Sequence, residues 1–158
     1  MNGSCPVSSC YATGSVTGSS YVGGLVGRNS GRITTSYGSG MVTGDGSVGG
    51  LVGYNRRGSI ATSYSTGAVS GEKEVGGFVG RNGYGEINSS LWDMEASGLS
   101  MSDGGVGKTT AEMQTASTFL EVGWDFVGES ENGVEDIWWI DEGVDYPRLC
   151  WERLEGEF

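Results

Sequence analysis

The sequence predicts an all-β fold, a parallel β-solenoid (β-helix-like) of three regular turns plus a degenerate fourth, closed by a short helix and a small β cap. Three observations carry this prediction. Segments recur at steps of 26 and then 27 residues; glycine fills 31 of 158 positions while proline fills only 2; and the repeated residues favour strand over helix. A single repeat holds too few apolar side chains to offset the entropy of ordering its own backbone, so the copies have to stack.

The first block of the repeat reads Tyr11-Ala-Thr-Gly-Ser-Val-Thr-Gly18, Tyr37-Gly-Ser-Gly-Met-Val-Thr-Gly44 and Tyr64-Ser-Thr-Gly-Ala-Val-Ser-Gly71. The second reads Val22-Gly-Gly-Leu-Val-Gly-Arg-Asn29, Val48-Gly-Gly-Leu-Val-Gly-Tyr-Asn55 and Val75-Gly-Gly-Phe-Val-Gly-Arg-Asn82. Ile33, Ile60 and Ile87 stand four residues ahead of Tyr37, Tyr64 and Leu91, a spacing that puts both side chains on one face of a strand. Stacking in register, at about 4.8 Å per coil, places like over like: Tyr11/Tyr37/Tyr64, Val16/Val42/Val69, Leu25/Leu51/Phe78 and Val26/Val52/Val79. Gly18/Gly44/Gly71 and Gly23/Gly49/Gly76 are expected at corners with positive φ, and Asn29/Asn55/Asn82 in a polar corner ladder.

The turns run over residues 5–30, 31–57, 58–84 and 85–107. In the fourth, Gly104-Gly105-Val106-Gly107 echoes the Gly-Gly-Leu-Val-Gly block with one residue lost, as expected of a terminal repeat with no neighbour above it. The string Val-Gly-Gly-Leu-Val-Gly-x-Asn, with Ser-Tyr-x-x-Gly-x-Val between copies, resembles the GLUG repeat of bacterial extracellular proteins. The resemblance covers residues 5 to about 107. It implies an exported or cell-surface setting and a structural or adhesive role, and it brings no catalytic residues with it.

Residues 108–158 form a compositionally distinct, acidic and tryptophan-rich C-terminal cap. Up to residue 85 the chain carries six Lys/Arg against three Asp/Glu, and from residue 86 three against seventeen, a net +3 followed by −14. Such an excess argues against nucleic acid as a partner and reads as a solvated acidic face. Thr109-Thr110-Ala111-Glu112 fits a capping box that opens one helix to about Leu120, expected to plug the end of the stack. Gly123–Phe126, Ile137–Ile140 and Asp145–Leu149 read as short strands. No apolar stretch is long enough for membrane insertion, and an export signal would lie outside this sequence. The first turn leaves an open N-terminal edge through which oligomers can form.

The chemistry implied by the residues is sparse. With no histidine there is no Ser-His or Cys-His triad, and three thiols (Cys5, Cys10, Cys150) exclude a zinc site of Cys and His alone. Cys5 and Cys10 are close enough in sequence to bridge, which leaves Cys150 free or paired elsewhere. Gly104–Thr110 imitates a phosphate-binding loop, but Ser102 stands where the first glycine is needed, so no nucleotide is expected. Asp93 and Glu95, two apart beside Trp92, are the candidate carboxylate pair if the chain is a polysaccharide hydrolase or lyase; the competing reading is a polar capping turn. Arg28, Arg32, Arg56, Arg57 and Arg81 all follow the Gly-Gly block and are expected to form a basic stripe, either for an anionic polysaccharide or host-cell glycan or as charged protection of the fold. Trp92, Trp138, Trp139 and Trp151 are candidates for sugar stacking, or else for the core of the cap. Asp136, Asp141, Glu142 and Asp145 are weak candidates for Ca²⁺, and no other cofactor is implied. The balance favours a non-catalytic module.

Overall fold

A computed structural model describes residues 5–153. The chain divides into two compact units after Thr109, two residues past the end of the repeat as read from the sequence.

The first unit is the predicted solenoid. Each of the first three coils contributes one strand to each of four parallel stacks, so residues equivalent in sequence become neighbours in space. One stack holds Val7–Ser8, Arg32–Thr34, Ser59–Ala61 and Glu86–Asn88; the next holds Tyr11–Ala12, Tyr37–Gly38, Tyr64–Ser65, Leu91–Asp93 and Val106–Lys108. The long strands Val16–Gly23, Val42–Gly49 and Val69–Gly76 form the third, and Val26–Asn29, Val52–Arg56 and Val79–Gly83 the fourth. The register is the one the repeat spacing requires: Tyr37 pairs with both Tyr11 and Tyr64, Val42 with Val16 and Val69, Val52 with Val26 and Val79.

The core is the set of inward columns. Ile33, Ile60, Leu51, Phe78, Val52 and Val79 have no exposed surface and pack into one cluster, while Val22, Val42, Val48 and Val69 form a second. The tyrosine rings stack with centroids 5.2 Å (Tyr11–Tyr37) and 4.9 Å (Tyr37–Tyr64) apart and planes within 8°. Two polar ladders run beside them. Asn29 Nδ2 donates to Asn55 Oδ1 at 2.9 Å and Asn55 Nδ2 to Asn82 Oδ1 at 3.0 Å, as expected from the sequence. A serine ladder was not anticipated: the backbone N–H of Cys10, Ser36 and Ser63 donates to the hydroxyl of Ser36, Ser63 and Ser90 in the next coil. Cys10 takes the serine position in the first coil and its thiol donates to the Ser8 carbonyl; Cys5, Cys10 and Cys150 are not bridged to one another.

Four expectations require correction. The isoleucine and tyrosine of each coil do not share a strand. They lie in separate stacks around a sharp corner where Thr35, Thr62 and Ser89 adopt φ of 52°, 49° and 46°. The corner glycines are not left-handed: the positive φ values in the regular coils fall on that Thr/Ser column, on Tyr21/Ser47/Glu74 and on Arg57/Tyr84. Glycine is required instead by close approach. A Cβ on Gly50 would lie 2.1 Å from the Gly77 carbonyl oxygen of the next coil, and one on Gly85 would lie 2.1 Å from Asn55 Nδ2 of the asparagine ladder. Gly104–Gly107 does not repeat the Gly-Gly block either, since Val106–Lys108 pairs with Leu91–Asp93 on the tyrosine stack. The place above Phe78 and Val79 is taken by Ser102, whose hydroxyl accepts both of their N–H groups, at 3.1 and 2.9 Å. Lastly, the single helix expected to Leu120 is two, Thr110–Met113 and Ala116–Leu120, with extended Thr115 between them.

The second unit is built around aromatic rings. Trp124 packs in tilted contact against Phe119, centroids 4.8 Å apart, and Trp138, 4.6 Å apart, and Met113, Phe119, Trp124 and Trp138 are fully buried. Of the three strands read here, Trp138–Trp139 and Arg148–Leu149 pair antiparallel, while Phe126 contributes one bridge to Trp138.

The glycine argument yields a paired test. Gly50→Ala, which drives a methyl into the next coil, is expected to cost about 3 kcal/mol. Gly46→Ala, with nothing within 4 Å of the added carbon, is expected to change stability by less than about 0.5 kcal/mol. Urea unfolding of the two variants measures the difference.

Candidate functional site

The residues singled out in the sequence do not converge on one place. Asp93 ends the strand Leu91–Asp93 and is fully buried, and its Oδ1 accepts N–H bonds from Glu95 and Ala96 at 2.9 Å each. It is the N-cap of the helix Met94–Ser97, which ends on left-handed Gly98. Glu95 is exposed on that helix, so the two carboxylates do not share a strand face as their i, i+2 spacing suggested. Trp92 is 3% exposed and packs with Phe78 in the core. It pairs in register with Ser65, in a column that is otherwise small (Ala12, Gly38, Ser65), and a Cβ on Gly77 would touch its ring at 2.0 Å. Trp92 thus fills the interior space that a further coil's backbone would occupy.

In the second unit Trp138 is core, and Trp139 lies under the guanidinium groups of Arg148 and Arg153, 5.6 and 5.5 Å from its centroid. Asp145 forms an ion pair with Arg148, Asp136 accepts from the Gly128 N–H, and Glu142 accepts from the Ala116 N–H. Asp141 accepts through its backbone carbonyl from Val144 and Asp145. Among the described residues no three acidic, cysteine or histidine side chains gather as metal ligands. The Cys150 thiol is pushed above its ordinary pKa, first by burial and then by the Asp136 carboxylate, with Arg153 opposing.

The arginines do not form the expected stripe. Arg56 pairs in register with Gly83 and Arg32 with Ser59, so neither stacks on another arginine. Arg28 and Arg81 occupy one column, but Tyr54 stands between them, with their guanidinium carbons 5.9 and 5.1 Å from its ring centroid. Tyr21 stacks on Tyr54 at 5.4 Å and is itself 45% exposed. Arg81 forms an ion pair with Glu74 at 3.3 Å, and Ser47 donates to the other oxygen of that carboxylate.

Beside this group, across the bend of the long strands, lies a shallow cleft of about 350 Å³ lined by Ser20, Tyr21, Gly46, Ser47, Lys73, Glu74 and Arg81. It spans three coils. Its lining column, Tyr21/Ser47/Glu74, has φ of 54°, 50° and 51°, a conformation that bulky side chains adopt only under constraint. Sequence reading passed over Tyr21, Tyr54 and Lys73, although a signal was present. Positions 19–21, 45–47 and 72–74 read Ser-Ser-Tyr, Asp-Gly-Ser and Glu-Lys-Glu, between blocks that are otherwise nearly identical.

Columns of like residues joined by side-chain ladders define a repeat protein of the parallel β-solenoid class. The family model described as the GLUG motif matches residues 44–70, one full period from Gly44 to the residue before its equivalent Gly71. The chain thus carries a GLUG motif over residues 44–70. No curated protein and no solved structure matches it.

Asp93→Ala removes two cap bonds and is expected to cost about 1–2 kcal/mol, whereas Glu95→Gln should stay within about 0.5 kcal/mol of the parent. Thermal unfolding of both variants tests whether Asp93 is a structural cap.

Proposed function

We propose that this chain is a non-catalytic structural and adhesive module of an extracellular bacterial protein, a rigid stack that presents a glycan-binding face. The observation that carries this reading is where the repeated polar side chains go. The asparagines and serines bond to their own copies one coil away, and the buried carboxylate of Asp93 is committed to backbone N–H groups. Side chains used in this way hold the stack at a fixed pitch and leave little freedom for proton transfer. The side chains that vary from coil to coil lie on the long face, where the stack meets solvent, and repeat scaffolds commonly bind on such a surface. The GLUG motif supports an extracellular setting.

A panel of polysaccharides incubated with the protein, assayed for new reducing ends and unsaturated products, tests the non-catalytic part. The expected result is no product above the background of a heat-denatured control. Product that disappears in Glu95→Gln would instead establish a carboxylate-dependent hydrolase or lyase.

A further inference from the structure

We propose that the three-coil cleft beside Tyr21 is a binding site for a linear acidic polysaccharide, one whose sugars carry carboxylates. This deepens the adhesive reading above and rests on it.

Three features point to this class of ligand. Tyr21 offers an aromatic ring that is 45% exposed, with its stack on Tyr54 fixing its orientation, so a sugar ring meets a rigid platform at small entropic cost. Lys73 and Arg81 line the cleft, and Arg28 lies over the ring of Tyr54, on which Tyr21 stacks. Among the described residues Arg28 and Lys73 have no carboxylate partner, and Arg28 Nε is buried without a hydrogen-bond partner. The acidic group lining the cleft, Glu74, is already engaged by Arg81 and Ser47. Asp45 and Glu72 belong to the same long strands but do not line the cleft, whose charged lining is Lys73 and the Arg81–Glu74 pair, so the field within it favours an anion. The third feature is geometric. The cleft crosses coils at the stacking interval of about 4.8 Å, close to the length of one sugar unit, so successive units of an extended chain meet successive coils.

The backbone supplies an independent argument. Tyrosine at φ 54° is strained where glycine would be relaxed. The large ring sits at this bend in the first coil alone, and Ser47 and Glu74 take its place above. The stack therefore does not require an aromatic residue at this position, and its placement is explained by what it presents to solvent.

The test uses the full chain, with polygalacturonate and hyaluronate as acidic probes and dextran and duplex DNA as controls, in isothermal titration and affinity electrophoresis. Binding to the acidic polysaccharides, weakened by salt and absent for both controls, is expected. Lys73→Gln and Tyr21→Gly should each weaken it roughly tenfold or more. Tyr84→Ser, which alters a residue 94% exposed outside the cleft lining, should leave it unchanged. Because glycine accepts the left-handed bend, Tyr21→Gly is expected to melt within about 3 °C of the parent, which separates loss of the ring from loss of the fold. If an acidic polysaccharide binds and neither cleft variant weakens it, the cleft is overturned and the adhesive reading stands. Binding to dextran alone overturns the acidic class in the same way. DNA binding as tight as that of the polysaccharides overturns the ligand class, and no binding to any glycan overturns both the cleft and the adhesive reading.

Discussion

Every face of the solenoid depends on a single constraint: residues equivalent in sequence lie directly over one another. The buried asparagine ladder enforces it most strictly. Asn29 and Asn55 have no exposed surface, and each amide bonds to the next and to nearby backbone: Asn29 accepts from the Gly31 N–H, and Asn55 donates to the Gly58 carbonyl. A slip of one residue would bring Arg28 or Ser30 into the ladder and strand buried polar groups, each at a cost of about 1–3 kcal/mol. The apolar columns add breadth without such precision, because Leu51 under Phe78 shows that a hydrophobic column tolerates a change of shape. Polar ladders thus fix the register, and the columns of Ile, Val and Leu supply most of the stabilisation.

From that constraint follows a division of labour along each coil. Positions that touch the coils above and below are repeated because they must match. Positions at the bend of the long strands are free to differ, as Tyr21, Ser47 and Glu74 do: Tyr21 and Glu74 reach solvent, while Ser47 is buried and donates to the Glu74 carboxylate. The fourth coil shows how the pattern ends. Trp92 fills the interior with an indole in place of another coil's backbone, Ser102 takes up the N–H groups of Phe78 and Val79, and Val106–Lys108 adds a last strand to one stack only. At the other end Tyr11 remains 41% exposed, and the strands of the first coil are edges of their stacks.

Much of the fold was legible because a repeat reports its own register. The spacing of Tyr11, Tyr37 and Tyr64 is enough to set the stack, and the asparagine ladder could be named from three identical residues. What could not be read was local backbone conformation. In the regular coils left-handed φ fell on threonine, serine, tyrosine, glutamate and arginine rather than on glycine, because pairing on both sides of each corner imposes a conformation that intrinsic preference would not choose. The echo at Gly104–Gly107 misled for a related reason: in the fourth coil the short helix Met94–Ser97 replaces the long strand and the chain reaches Ser102, over Phe78, in fewer residues, so those glycines fall on another stack while the string stays intact. The candidate site was the least legible part. Asp93, Trp92 and the arginines drew notice as residue types with chemistry. The first two proved to be a cap and a plug, and the arginines were split by Tyr54.

The most direct test of the stacking is nuclear Overhauser contacts in uniformly labelled protein. The account requires the Asn55 side-chain amide protons to show cross-peaks to both Asn29 and Asn82, and the Tyr37 ring protons to both Tyr11 and Tyr64, whose ring centroids lie 5.2 and 4.9 Å away. Cross-peaks from Asn55 and Tyr37 confined to sequence neighbours would contradict it, and with it every surface assigned to the stack.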